Sequence, residues 1–153
     1  MVKARVFILQ NYFHGFPKQS DLKLVEEELP PLEEGEFLAE ALYLSVDPYM
    51  RYYQESVKLG TVFIGLQLAK IIESKSSKYP VGKYVVGDYG WRTHTIVSEN
   101  TFAKTQKFEW VVPPLGSLPL SVGLGMLALT GNTAYFGLLD ICKPQPNETV
   151  VVS

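Results

Sequence analysis

The run from Glu36 to Val46 alternates without interruption and then stops at Asp47-Pro48. Leu38, Leu42, Leu44 and Val46 share one face with Glu40, while Phe37, Ala39, Ala41, Tyr43 and Ser45 share the other. Both faces are largely apolar, the pattern of a strand covered on both sides, so the run belongs inside a sheet rather than at its edge. Asp is a favoured helix N-cap, and Pro suits the first helical position because its missing N–H had no partner there. The sequence therefore predicts that Tyr49, Met50 and Arg51 lie on a short helical turn at the end of a strand. Such turns present side chains to clefts. On residue chemistry alone, Tyr49 and Met50 read equally well as core.

Shorter runs repeat the strand pattern. Val2 to Leu9 places Val2, Ala4, Val6 and Ile8 on one side, and Leu22 to Glu26 alternates again. Pro30 to Gly35 is a turn, Ile64 to Glu73 a second long strand, and Pro80 to Lys83 a turn into Tyr84-Val85-Val86. Trp91 to Ser98 sets Trp91, Thr93, Thr95 and Val97 on one face. Short strands separated by turn residues predict an antiparallel barrel or sandwich, with no helix longer than one or two turns before residue 119.

After Pro113-Pro114 the pattern changes. Leu118 to Leu129 reads as a helix despite Gly123 and Gly125, and Thr130 to Thr133 as the cap of a second helix, Ala134 to Cys142. Thr149 to Ser153 has the composition of a buried parallel strand. A lone strand of that kind cannot satisfy its ladder hydrogen bonds, so the expectation is an amino-terminal portion of something longer. The expected division is 1–118, a mainly β domain, and 119–153, the first helices and strand of an incomplete second domain.

Several function classes are disfavoured. With 46% hydrophobic residues, 20% charged residues and a formal net charge of −2, nothing favours nucleic acid or an anionic membrane as partner. No apolar stretch approaches the roughly 18–20 residues of a membrane span, and Met1 to Arg5 lacks the layout of a secretion signal. One cysteine, Cys142, rules out an intrachain disulfide and predicts a reducing, cytoplasmic home with the thiol as a small core residue. Two His and one Cys make no zinc site, so no metal is expected. No nucleophile elbow supports hydrolase chemistry. Gly123-Leu124-Gly125-Met126-Leu127-Ala128 fits the letters of a dinucleotide fingerprint. No buried strand leads into it, so close packing of small residues explains it better. The acidic cluster Glu26-Glu27-Glu28 with Glu33-Glu34 reads as a solvated turn and strand end.

Leu44-Ser45-Val46-Asp47-Pro48-Tyr49-Met50-Arg51, Gly65 to Ser74, Gly90-Trp91 and Leu129 to Cys142 together resemble the prostaglandin reductases. These zinc-independent alkenal double-bond reductases belong to the medium-chain dehydrogenase/reductase superfamily. The resemblance implies a GroES-like β-barrel followed by the start of a Rossmann domain. It implies NADPH as cofactor, a small enone or lipid substrate such as a 15-oxo-prostaglandin, and possible leukotriene B4 12-hydroxydehydrogenase activity. By position, Tyr49 matches a tyrosine beside nicotinamide and substrate and carries the catalytic role. Leu129, Thr130 and Thr133 match cofactor contacts, and Tyr49, Tyr89, Gly90 and Trp91 border the substrate. Where zinc-dependent relatives carry Gly-His-Glu, this chain reads Gly65-Leu66-Gln67. The family is dimeric, through a sheet beyond Ser153, as is its phosphate-binding loop. The chain by itself is therefore expected to bind NADPH weakly and to turn over nothing. The alternative expectation is a non-catalytic short isoform, an interaction module that retains the barrel.

Overall fold

The computed structural model describes residues 2–100 and 109–152. Among the described residues, seven strands make a curled antiparallel sheet and a hairpin. Strands β1 (Lys3–Leu9) and β2 (Leu22–Glu28) pair as the hairpin, with Val6 opposite Val25. The other five are β3 (Glu36–Leu44), β4 (Gln67–Ser74), β5 (Tyr84–Gly87), β6 (His94–Ser98) and β7 (Glu109–Val111), in the order β6-β3-β4-β5-β7. The doubly apolar run of β3 thus lies between two partners, as its pattern requires. All pairings are antiparallel.

The hairpin closes the curl. Phe7 N–H donates to the Trp91 carbonyl at 2.9 Å and Thr93 N–H to the Arg5 carbonyl at 2.9 Å, while Phe63 N–H donates to Phe7 O at 2.8 Å. These bonds attach β1 to the segments leading into β4 and β6. Phe37, Leu9, Leu68 and Ile71 are fully buried, and each such side chain stabilises the fold by about 1.5–3 kcal/mol relative to exposure. One cluster packs Phe37, Ala39, Ala69, Ile71, Tyr79, Val85 and Val97. A second gathers Leu9, Met50, Val57 and Phe63 under the end of β3.

Two register shifts interrupt the β3–β4 ladder, at Leu38/Ala39 and at Ala41/Tyr43. Bulges bend a strand and re-aim its end. Beyond them β3 reaches Ser45 and then a helical turn, α1 (Tyr49–Tyr53). Pro48 has helical dihedrals, and Asp47 contributes its carbonyl, which accepts from Met50 N–H at 3.1 Å. The N-cap position falls on Pro48, whose side chain has no acceptor, so the expected Asp47 cap is replaced by the Asp47 carbonyl.

The carboxyl-terminal part departs from expectation. Leu118 to Leu129 is not one helix: a single 3₁₀ turn, Leu120–Gly123, leads into further turns. Its apolar residues serve a different surface, since Leu120 and Leu124 pack on Leu68, Val86 and Val112 of the sheet. The following helix, α2, spans Leu129–Phe136 and passes into a wider π turn, Gly137–Cys142. It starts five residues before the expected Ala134. Thr130 and Thr133 therefore sit inside it, and neither caps it. No residue of either segment is buried, so Cys142 is exposed and not core. Thr149 to Val152 is not a strand: the described residues offer it no ladder partner, and Val151 is 85% exposed. Ser153, the last residue of that run, lies outside the described residues. Among the described residues no helix is long and apolar enough to cross a membrane.

Candidate functional site

The end of β3 delivers Ser45, and Ser45 joins three parts of the chain. Its N–H donates to Leu66 O at 2.8 Å, its hydroxyl oxygen accepts from Leu66 N–H at 3.1 Å, and its carbonyl accepts from the Trp91 indole N–H at 3.1 Å. Trp91 and Tyr49 both pack on the Leu9, Met50, Val57 and Phe63 cluster. Trp91 stands edge-on to Phe63, with ring centroids 5.2 Å apart, a favoured aromatic geometry.

Two glycines make the arrangement possible. A Cβ on Gly65 would sit 2.8 Å from Met50 Cε and from the Trp91 indole, so only glycine lets the ring lie across β4's approach. Gly90 has φ +74°, and its N–H donates to Gly65 O at 3.0 Å. That left-handed residue turns the chain so that Trp91 faces Tyr49's cluster.

Tyr49 is half-buried, and its hydroxyl titrates above the ordinary phenol value. Burial is the main cause, followed by the negative charges of Asp88 and Asp47. The Ser45 hydroxyl and Leu66 N–H oppose the shift without reversing it. At neutral pH this phenol keeps its proton and is a hydrogen-bond donor in apolar surroundings.

The remaining expected residues are placed elsewhere. Tyr89 belongs by packing to the Phe37–Tyr79 cluster, with its ring against Gly87 and its hydroxyl donating to Glu109 Oε2 at 2.9 Å. Burial, then the charge of Glu109, pushes its hydroxyl far above the ordinary phenol range. Tyr52 and Tyr53, which follow Tyr49 on α1, are exposed and were not among the expected residues. Thr130 Oγ1 donates to Gly125 O at 3.0 Å and Thr133 Oγ1 to Leu129 O at 2.7 Å. Those bonds use the hydroxyl hydrogens and leave lone pairs free to accept. Among the described residues no hydrogen bond joins Leu129, Thr130 or Thr133 to Tyr49, Gly90 or Trp91. A groove of about 330 Å³, lined by Phe7, Leu24, Leu42, Leu44, Trp91 and Arg92, shares Trp91 with the site but not Tyr49. Among the described residues no group of three His, Cys, Asp or Glu is placed to hold a metal.

Ser45, Gln67 and Asp88 were not anticipated as site residues. Gln67 had a legible signal: it is the one polar side chain in the run Ile64-Gly65-Leu66-Gln67-Leu68-Ala69. A polar group in such a run must find partners inside.

Residues 5–105 match the family described as the N-terminal domain of oxidoreductase. Prostaglandin reductase 1 of Bos taurus is 47% identical over 153 residues, covering 100% of this chain and 45% of that protein. The NADPH-dependent curcumin reductase of Escherichia coli (strain K12) is 35% identical, over 99% of this chain and 44% of that protein. In three dimensions, CurA of Vibrio vulnificus in complex with NADPH superposes with a TM-score of 0.76 at 27% identity, over 92% of this chain and 42% of that one. The chain thus spans about half the length of the relatives it matches. The mainly β, curled architecture is that of the GroES-like domain of those enzymes. On the match across residues 5–105 and the whole-chain likeness to prostaglandin reductase 1, this chain belongs to the oxidoreductase N-terminal-domain family of the medium-chain dehydrogenases/reductases.

Proposed function

We propose that these residues form the substrate-side wall of an NADPH-dependent, zinc-independent reductase of carbon–carbon double bonds conjugated to a carbonyl. The observation that carries this reading is geometric: Tyr49 and Trp91 pack on one apolar cluster, and the Trp91 indole is tied to Ser45 at the end of β3. The names of the relatives, a prostaglandin reductase and an NADPH-dependent curcumin reductase, supply the reaction class.

NADPH supplies the hydride when bound. Leu129, exposed and apolar, and the accepting oxygens of Thr130 and Thr133 suit a nicotinamide ring and its carboxamide. They suit that end of the cofactor only. Tyr49 donates its hydroxyl hydrogen to the substrate carbonyl oxygen, where negative charge gathers as the double bond is reduced. A donor that keeps its proton at neutral pH strengthens there without reorganising. In this reading the substrate lies in a slot between Tyr49 and Trp91, and Trp91 with Gly90 forms the apolar side of that slot. Tyr89, bonded to Glu109, braces the same loop from the Phe37 cluster. The preferred enone, of prostaglandin type or otherwise, follows the names of the relatives, and a cytoplasmic setting is proposed on the single cysteine.

The test is Tyr49→Phe in the complete protein, assayed by enone-dependent NADPH oxidation. Loss of one positioned donor lowers kcat by roughly 100- to 1000-fold. An unchanged kcat with a mere loss of stability returns Tyr49 to the core.

A further inference from the structure

Gln67 is 0% exposed. Its Nε2 donates to two backbone carbonyls, Gly90 O and Arg92 O, the latter at 3.0 Å. The orientation of the amide is not arbitrary. Both neighbours are acceptors, so the NH₂ end must face them, and the reversed amide would set oxygen against oxygen. The other end pays for this: Oε1 is buried and finds no partner among the described residues. A buried acceptor without a donor is destabilising, so the placement costs the fold something that two hydrogen bonds must offset.

Those two carbonyls flank one residue. Gly90 and Arg92 stand on either side of Trp91, whose own carbonyl accepts from Phe7 N–H and whose N–H donates to Phe63 O at 2.8 Å. We infer that Gln67 is a positioning residue for substrate binding, its single NH₂ group clamping the chain before and after Trp91 so that the indole is presented to the slot at a fixed angle. This rests on the reading that Trp91 borders the substrate. The chemistry selects the residue type. One nitrogen with two hydrogens serves two carbonyls at once, a carboxylic acid has one hydrogen to offer, and a carboxylate has none. In the place where zinc-dependent relatives carry Glu, this chain uses an amide to hold a wall.

The experiment compares Gln67→Glu and Gln67→Met with the wild type in the complete protein. Two readouts are taken between about pH 5 and 9. The first is the ¹⁹F resonance of 5-fluorotryptophan at Trp91, identified by its loss in Trp91→Phe. The second is the KM for the enone at saturating NADPH. Groups that titrate or carry charge around this segment are Asp88, Asp47, Tyr49, Arg5, Arg92, His94 and the Glu27 that pairs with Arg92 at 3.1 Å. All are present in the wild type, so its profile is the baseline.

In Gln67→Glu the buried carboxyl is surrounded by carbonyl oxygens, which favours its protonated form. Ionisation removes its only donor. The expected result is a Trp91 resonance that moves with rising pH in this variant alone, and a KM that rises by about three- to tenfold over the same interval with kcat held. Gln67→Met, close in volume but with no donor, is expected to shift both readouts by a pH-independent amount. A pH-flat Trp91 resonance in Gln67→Glu, or wild-type behaviour in Gln67→Met, overturns the clamp. A resonance that moves while KM stays level overturns the substrate role of Trp91 and the positioning claim with it.

Discussion

The indole N–H of Trp91 donates to the carbonyl oxygen of Ser45 at 3.1 Å, across 46 residues of sequence. That bond ties the loop before β6 to the end of β3, and Gly65 leaves the space in which it forms. Gly65→Ala puts a methyl 2.8 Å from both the indole and Met50 Cε. The methionine end can swing aside, whereas the indole cannot move without releasing Ser45. The expected cost is about 1–3 kcal/mol in denaturant unfolding, with red-shifted tryptophan emission. Unchanged emission would mean that Met50 alone had yielded.

Alkaline stability should depend on Glu109. Tyr79 is pushed up to about 12, first by burial and then by the nearby Glu109 carboxylate, and Tyr89, which donates to that carboxylate, is raised as well. An unfolded tyrosine ionises near 10.0. Above that pH the unfolded chain sheds protons that the folded one keeps, so stability falls as pH climbs from there to the folded value. Glu109→Gln removes the charge but not the burial. The alkaline loss should begin at the same pH and be smaller, as read from unfolding midpoints at about pH 8 and about pH 11. Equal losses in the two proteins would assign the whole shift to burial.

Gly123 and Gly125 should respond differently to alanine. A Cβ at Gly123 meets Leu68 Cδ1 at 3.0 Å and Val112 Cγ1 at 3.2 Å, and both side chains are buried. At Gly125 the nearest atom is Ser121 O at 3.5 Å, an ordinary contact. Gly123→Ala is expected to cost about 1–3 kcal/mol and Gly125→Ala about 0.5 kcal/mol or less. Equal effects from the two changes would count against packing as the role of this Gly-x-Gly pair.

Gln54 holds the loop that follows β1. Buried after α1, it accepts from Phe13 N–H and donates to Phe13 O at 3.2 Å. Gln54→Leu strands both backbone groups, and the expected loss is about 1–3 kcal/mol. Amide exchange at Phe13 should quicken more than at Phe37 in the sheet core. Uniform acceleration of the two would mean that the clamp belongs to global stability and not to the loop.

The strands were legible because each carries its own evidence. Period-two alternation and turn residues locate β1 to β6 to within a few residues, and the two apolar faces of β3 predict its interior place. The turn at Asp47-Pro48 was legible for the same local reason. What failed was non-local. Leu118 to Leu129 is apolar because Leu120 and Leu124 cover Leu68 and Val86, not because it is helical. Cys142 and Thr149 to Val152 carry core composition, yet the described residues provide no core for them. Tyr89 and Trp91 are two residues apart, but the positive φ of Gly90 between them sends one ring to Phe37 and the other to Phe63. A single backbone angle divides two cores, and no pattern of residue types reports it.

The three carbonyls from Gly90 to Arg92 are each taken by a different bond, from Gln67, Phe7 and Gln67 again. The entropy of ordering this stretch is therefore spent when the chain folds, and none of it remains to be spent when a ligand arrives. On the proposed reading Trp91 is a wall already ordered when a ligand arrives, so room for a wider substrate comes from the opposite face.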